Sequence, residues 1–315
     1  MTPVRPQFVP EPGLDREEMH TLQRDLAATA VFEDQLSFSP ADVALESPVP
    51  IEGSIPSGDS IPSGDSIQSG EPLQFGGHTL ASVSDGNVLS SEGHVLASED
   101  NVLADVDPEG PPIVAGVDQA FLDDRAISAV VLLQGGAVVG WAHAVSELSI
   151  PYVPGLLAFR EGGPIVEALS QLALEPDLLV FDGSGRIHFR EAGLATHVGV
   201  IFDCPAVGVA KSLLCGTPDD PTDGRAKGWS TPIRVSADDD VTAPDGTVIG
   251  YAYQSRQYEG TPRINPLYVS PGHRVSAGTA RDLVAAQSAG YKLPEPTRLA
   301  DRLADDLKRE LEAEP

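Results

Sequence analysis

Lysine is almost missing from this chain: 315 residues contain only Lys211, Lys227, Lys292 and Lys308. Basic residues of both kinds number 20 against 47 acidic ones, a net charge of -27. Such a surface keeps a protein solvated and monomeric. Acid spread along the whole length, with lysine this scarce, points to a cytoplasm of molar salt. A calcium-binding origin for the acids is disfavoured, because no D-x-[DN]-x-[DN]-G loop occurs. Cysteine is equally sparse. Cys204 and Cys215 form no C-x-x-C or zinc-ligand spacing and read as reduced, non-ligating thiols. No apolar run is long enough to cross a bilayer, and the residues after Met1 (Thr-Pro-Val-Arg-Pro) hold no signal-peptide core. A soluble, monomeric, cytoplasmic protein with no membrane partner is expected.

Three regions differ in composition. Residues 1–37 include "LDREEMHTLQRDLAATAVF", where Met19, Leu22, Leu26 and Val31 fall at roughly helical spacing. Residues 38–110 form an acidic insert with two repeats, "SIPSGDSIPSGDSIQSGE" and a series restarting at His78, Asn87, His94 and Asn101. Past Phe38, Phe75 is its one aromatic residue, so it has little apolar surface to offset the entropy of ordering, and disorder is expected. Residues 111–315 read as an α/β domain. "PPIVAGVDQAF", "AISAVVLLQG" and "AVVGWAHAVSEL" predict an antiparallel meander. Helices and strands then alternate through "GGPIVEALSQLALE", "PDLLVFDGSG", "AGLATHVGVIFD" and "AVGVAKSLL". A hairpin-rich stretch, a helix capped by Ser276 and the amphipathic "RLADRLADDLKREL" complete a mixed sheet covered by helices.

Carboxylates are too common here for one alone to mean much, so apolar context has to discriminate. Asp118 interrupts "IVAGVDQAF", Asp182 closes "LLVFDG" and Glu161 ends "YVPGLLAFRE". A charge in a buried strand is costly unless it is paired or binds a metal. Three hard oxygen ligands at one end of a sheet suit Mg²⁺ beside a phosphate, and so phosphodiester hydrolysis. Each acid taken singly could equally be a cap or an ion-pair partner. Lys211, a cation in the apolar strand "VGVAKSLL", wants a carboxylate or a phosphate. His188, His197 and His273 lie in or beside Gly-rich turns near this presumed site.

Together, "VAGVDQAF", "YVPGLLAFREGGPIVEAL", "DLLVFDGSGRIHFREAGLATHVGV", "PAVGVAKSLL" and "PLYVSPGHRVS" resemble the endonuclease V family of deoxyinosine-directed repair nucleases. The resemblance spans roughly residues 111–290 and the N-terminal helix. It implies an RNase H-like fold, a mixed five-stranded sheet flanked by helices. It further implies that Asp118, Glu161 and Asp182 hold catalytic Mg²⁺ (with Mn²⁺ as a substitute), that His273 sits by the attacking water or scissile phosphate, and that Lys211 contacts that phosphate. His188 and His197 would support the site and the strand it grips. Tyr152, stiffened by Pro151 and Pro154, corresponds to the family's wedge, which fills the duplex where a base has flipped out. Gly155, Leu157, Gly183, Leu194, Gly208 and Ala210 fall at the positions that enclose the flipped base.

The implied partner is DNA containing deoxyinosine, cut at the second phosphodiester 3′ to the lesion. Inosine RNA and a non-catalytic nucleic-acid binder on the same fold are the alternatives. Phe189 departs from the family, where proline usually follows the "DGxGxxH" histidine, and residues 38–110 have no family counterpart.

Overall fold

The computed structural model describes residues 1–11, 13–50, 74–75, 78–79, 106–148, 155–237, 239 and 241–313. Nine strands make one mixed sheet: β1 (Val114–Leu122), β2 (Arg125–Gln134), β3 (Ala137–Glu147), β4 (Leu178–Asp182), β5 (Ala206–Ala210), β6 (Thr217–Pro218), β7 (Ser230–Arg234), β8 (Val248–Tyr253) and β9 (Leu267–His273). Their spatial order is β3-β2-β1-β4-β5-β9-β8-β7-β6. The first five strands in the order 3-2-1-4-5 are the expected core, and β4 runs parallel to both β1 and β5. The sheet is nevertheless wider than the five strands expected. β9 pairs antiparallel with β5 and carries β8, β7 and β6 outward. The hairpin-rich stretch therefore adds to the same sheet, with Val209 of β5 and Val269 of β9 paired and both fully buried. A separate two-residue pairing joins Gln74–Phe75 to His78–Thr79.

Five helices cover the sheet: α1 (Arg16–Thr29), α2 (Leu157–Ser170), α3 (Leu194–Phe202), α4 (Ala277–Ala286) and α5 (Glu295–Ala313). Asp15 opens α1 with a capping box closed by Glu18, which satisfies two orphan backbone donors. Ser276 caps α4 as expected, accepting from the Thr279 amide. The helix α2 begins at Leu157, before the Gly-Gly-Pro that reads as its start, and holds Pro164 inside. Burial of Ala158, Phe159, Ile165 and Leu169 outweighs that breaker. Glu161 consequently projects from a helix and not from a loop.

On one face, α2 and α3 pack with Ala115, Val117, Leu179, Phe181 and Ala206. On the other, α5 buries Leu299, Leu303, Leu307 and Leu311, a stripe four residues apart, against Ile127, Ala129 and Val131. A close backbone approach makes that docking possible: a Cβ at Gly116 would lie 1.9 Å from the Pro296 carbonyl oxygen. Glycine is the residue that admits it.

The boundary expected at residue 38 comes too early. Val43 and Val49 are buried. The Val49 amide donates to Glu295 Oε2 at 2.8 Å, and the Leu45 amide donates to the Ala286 carbonyl at 2.9 Å. Residues up to 50 thus form a strap across α4 and α5. Apart from His78 and Thr79, the repeats lie outside the described residues.

Candidate metal centre

Parallel pairing sets Val117 of β1 opposite Phe181 of β4, so the next residues, Asp118 and Asp182, sit side by side at one end of the sheet. Both lie on the α5 face, by alternation with Gly116 and Val180. Seated by Gly116, α5 delivers Asp301 to the same place. One carboxylate oxygen from each of Asp118, Asp182 and Asp301 lies within 4.8 Å of the others. Lys211, just past the end of β5, sets Nζ 2.9 Å from Asp182 Oδ2. Its side chain remains 47% exposed, so it faces outward as well.

Glu161 reaches the same crevice from α2 without joining the close group. Val117, Asp118, Gln119, Phe121, Glu161, Ile165, Asp182 and Leu194 line that crevice. Gln119 braces it, donating from Nε2 to Ser128 Oγ at 2.6 Å and to the Glu161 carbonyl at 3.2 Å.

The electrostatics reveal what the site lacks. Burial, then the charges of Asp182 and Asp301, push the Asp118 pKa well above the carboxylate range, against the Gln119 amide that donates to it. Burial likewise raises Asp301, with Lys211 opposing. Burial lifts Glu161 to about 7, with Arg160 opposing. Burial works to lower Lys211, but Asp182 more than reverses it. Three close carboxylates in a poorly solvated crevice face one ammonium, and Arg160 acts on the fourth, Glu161. Hard oxygen donors short of positive charge fit a divalent cation.

Asp301 escaped the sequence reading. It flanks the leucine stripe of α5 in a run that also holds Asp305 and Asp306. Its neighbours Ala300 and Ala304 are buried small residues, a weak sign that this edge of the helix lies against something.

The three histidines go elsewhere, and the expectation for His273 needs correcting. His273 pairs with Ala206 at the start of β5, the opposite end of that strand from Lys211. Its Nδ1 accepts from the Val31 amide at 3.1 Å, and its Nε2 donates to Asp203 Oδ1 at 3.0 Å. Burial works to raise the Asp203 pKa, but His273, Arg5 and Arg274 outweigh it and hold it at about 2. His273 is a staple between the N-terminal segment and the core. His197, wholly buried in α3, donates from Nε2 to the Phe8 carbonyl at 2.7 Å. His188 is buried, with Nδ1 2.8 Å from the Phe189 carbonyl oxygen. Burial above all pushes both rings down to about 4. A ring that is charge-averse and already hydrogen-bonded suits structure, and none of the three lines the crevice.

Of the other expected positions, Leu194 and Gly183 adjoin the crevice. A Cβ on Gly183 would lie 3.3 Å from Leu194 Cδ2. Gly208 packs beneath the 183–185 turn, where a Cβ would meet the Gly185 nitrogen at 2.4 Å. Ala210 ends β5 and Leu157 begins α2. Gly155, at φ +79°, accepts from Gln23 Nε2 at 2.9 Å, and Gln23 Oε1 accepts from Arg190 Nε at 2.7 Å. Phe189, the departure from the family pattern, lies against Gly155. Pro151, Tyr152 and Pro154 lie outside the described residues.

A sheet ordered 3-2-1-4-5, with acids from its first and fourth strands and from the last helix meeting at one end, defines an RNase H-like, metal-dependent nuclease. A sequence model of the family described as Endonuclease V matches residues 97–302. The chain is 53% identical over 303 residues to Endonuclease V of the halophilic archaeon Natronomonas pharaonis, covering 96% of each. The crystal structure of Endonuclease V from Streptomyces avermitilis is 37% identical, with a TM-score of 0.55, over 67% of this chain and 89% of that one. Endonuclease V of Ciona intestinalis, solved with a 24mer DNA containing an inosine followed by a ribo-adenosine, is 27% identical, with a TM-score of 0.53, over 64% of this chain and 87% of that one. This chain belongs to the endonuclease V family and is a nuclease.

Proposed function

We propose that the protein is a repair endonuclease that flips deoxyinosine out of DNA and hydrolyses the second phosphodiester 3′ to it. The observation that carries this reading is the group Asp118, Asp182 and Asp301, with Lys211 against it. The inosine-containing DNA held by the Ciona relative supports the substrate.

In this reading Asp118, Asp182 and Asp301 hold Mg²⁺, for which Mn²⁺ substitutes, with Glu161 facing them across the crevice. The bound cation would lower the pKa of water and offset charge on the phosphate. Lys211 grips a non-bridging phosphate oxygen with the donors that Asp182 leaves free. Water oxygen bonds to phosphorus, the bond to O3′ breaks, and a proton ends on O3′. The products are a 3′-hydroxyl and a 5′-phosphate. Gly155, Leu157, Gly183, Leu194, Gly208 and Ala210 surround the flipped base, and Gly183 lets main chain approach its edge. Tyr152, between Pro151 and Pro154, fills the vacated stack, which offsets part of the few kcal/mol that flipping costs.

The ribo-adenosine beside inosine in the Ciona ligand favours inosine RNA as a second reading. One experiment separates them: cleavage of deoxyinosine DNA and inosine RNA, with the cut mapped, in Mg²⁺, Mn²⁺ and EDTA. Metal-dependent cutting of the DNA is expected, abolished in folded Asp118→Ala and Asp182→Ala. Cleavage of RNA alone, or near-normal turnover in either variant, overturns the proposal.

A further inference from the structure

The β1–β2 hairpin stands past the carboxylates as a wall. β1 pairs with β4 over Val114–Val117, but with β2 from Val114 to Leu122. Asp118 stands beside Asp182, the last residue of β4, so the four residues after it project beyond β4. Phe121 lies on this projection three residues after Asp118, about 10 Å along the strand. Alternation turns it to the α2 side with Gln119, into the crevice that Asp118, Glu161 and Asp182 also line. Phe121 is 37% exposed, one of few large apolar residues so placed among the described residues. The Arg160 guanidinium lies over that ring, 5.9 Å from its centre. In a protein this short of cations, Arg160 points over an aromatic face at the mouth of the metal centre and makes no ion pair among the described residues.

We propose that Phe121 and Arg160 form the subsite for the nucleotide immediately 3′ of the cut: its base stacks on the Phe121 ring, and its 3′ phosphate takes the Arg160 guanidinium. The direction follows from the sheet. Of the residues assigned to the flipped base, Gly183, Leu194, Gly208 and Ala210 lie on or beside β4 and β5, the carboxylates of Asp118 and Asp182 lie between β1 and β4, and Phe121 lies further along β1. A strand entering from the base pocket crosses the metal centre and then meets this ring. Asp123 and Asp124 at the hairpin turn repel phosphate, so the strand passes along the wall and not over its tip. Aromatic stacking accepts any base, so this subsite grips the product carrying the 5′-phosphate without reading sequence.

The inference rests on the proposed function for the order of subsites, and the test keeps the two apart. The cut made by the wild type is mapped first, and absence of cutting at deoxyinosine defeats the proposed function alone. Substrates then carry either a normal or an abasic nucleotide immediately 3′ of the mapped cut. The wild type is expected to lose about tenfold in kcat/KM on the abasic strand. Phe121→Ala loses a similar factor on the normal strand and is indifferent to the abasic change, while Phe121→Tyr behaves as wild type. Arg160→Gln lowers the slope of log kcat/KM against log[KCl] by about 0.9, the signature of one lost phosphate contact. Equal losses from the abasic change in wild type and Phe121→Ala overturn the stacking assignment. An unchanged salt slope in Arg160→Gln overturns the phosphate contact.

Discussion

Replacing Asp301 by asparagine should stabilise the metal-free protein while removing its response to metal. With ligand oxygens within 4.8 Å of one another, two unit charges repel by about 3.5 kcal/mol at an effective dielectric constant near 20. Asp301 takes part in two of the three repulsions in the group. Protonation within the group, favoured by the raised pKa values of Asp118 and Asp301, relieves part of this, and Lys211 offsets more. A net gain of about 1–3 kcal/mol remains when charge is removed at nearly constant shape. For a chain of this size each kcal/mol moves Tm by about 2–4 °C, so a rise of about 2–12 °C is expected. Salt screens poorly solvated pairs little, so the effect should survive molar KCl. The measurement is calorimetric unfolding of wild type and Asp301→Asn, in EDTA and across a Mg²⁺ series at fixed KCl. Metal binding to the native state raises wild-type stability by RT ln(1 + [Mg²⁺]/Kd), and the variant should lose most of that increment. A variant that melts below wild type in EDTA, or keeps the full Mg²⁺ increment, refutes the reasoning.

Gly116→Ala would drive a methyl group into the Pro296 carbonyl, 1.9 Å away. About 3 kcal/mol or more of stability should be lost, and the Mg²⁺-dependent rise in Tm with it, because α5 can no longer seat Asp301; an unchanged Tm rejects this. The buried His197 ring falls from about 6.5 unfolded to about 4 folded. Its contribution is fully present above pH 6.5 and is lost as pH falls through about 4, roughly 3 kcal/mol in all. Chemical denaturation across that range should therefore show a shallower acid loss in His197→Gln than in wild type; parallel curves would count against it. Deoxyinosine cleavage should persist at molar KCl with a shallow salt slope, because stacking and metal-bridged contacts are little screened. Steep loss above about 0.2 M, the mark of many phosphate contacts, would contradict that.

Much of this protein is written locally. Short apolar runs set β1, β2 and β3, a Ser276 cap starts α4, and a leucine stripe sets the buried face of α5. Asp118 and Asp182 were legible because each interrupts or ends an apolar strand, where an unpaired charge is too costly to be incidental. The family resemblance rests on the same short-range strings. Other features needed the tertiary structure, since their causes are distant along the chain. Asp301 looks like any acid on the edge of an amphipathic helix until Gly116, far earlier in sequence, lets Pro296 approach and aims α5 at Asp118. His273 follows a Gly-rich pattern that suggests chemistry, yet Val31 and Asp203 bury it at the other end of β5. Residues 38–50 have the composition of the insert, but Glu295 and Ala286 supply backbone partners that draw them onto the core. Composition and periodicity report whether a side chain will be buried. Which groups then meet is set by strand register and by close backbone contacts between segments that local sequence does not encode.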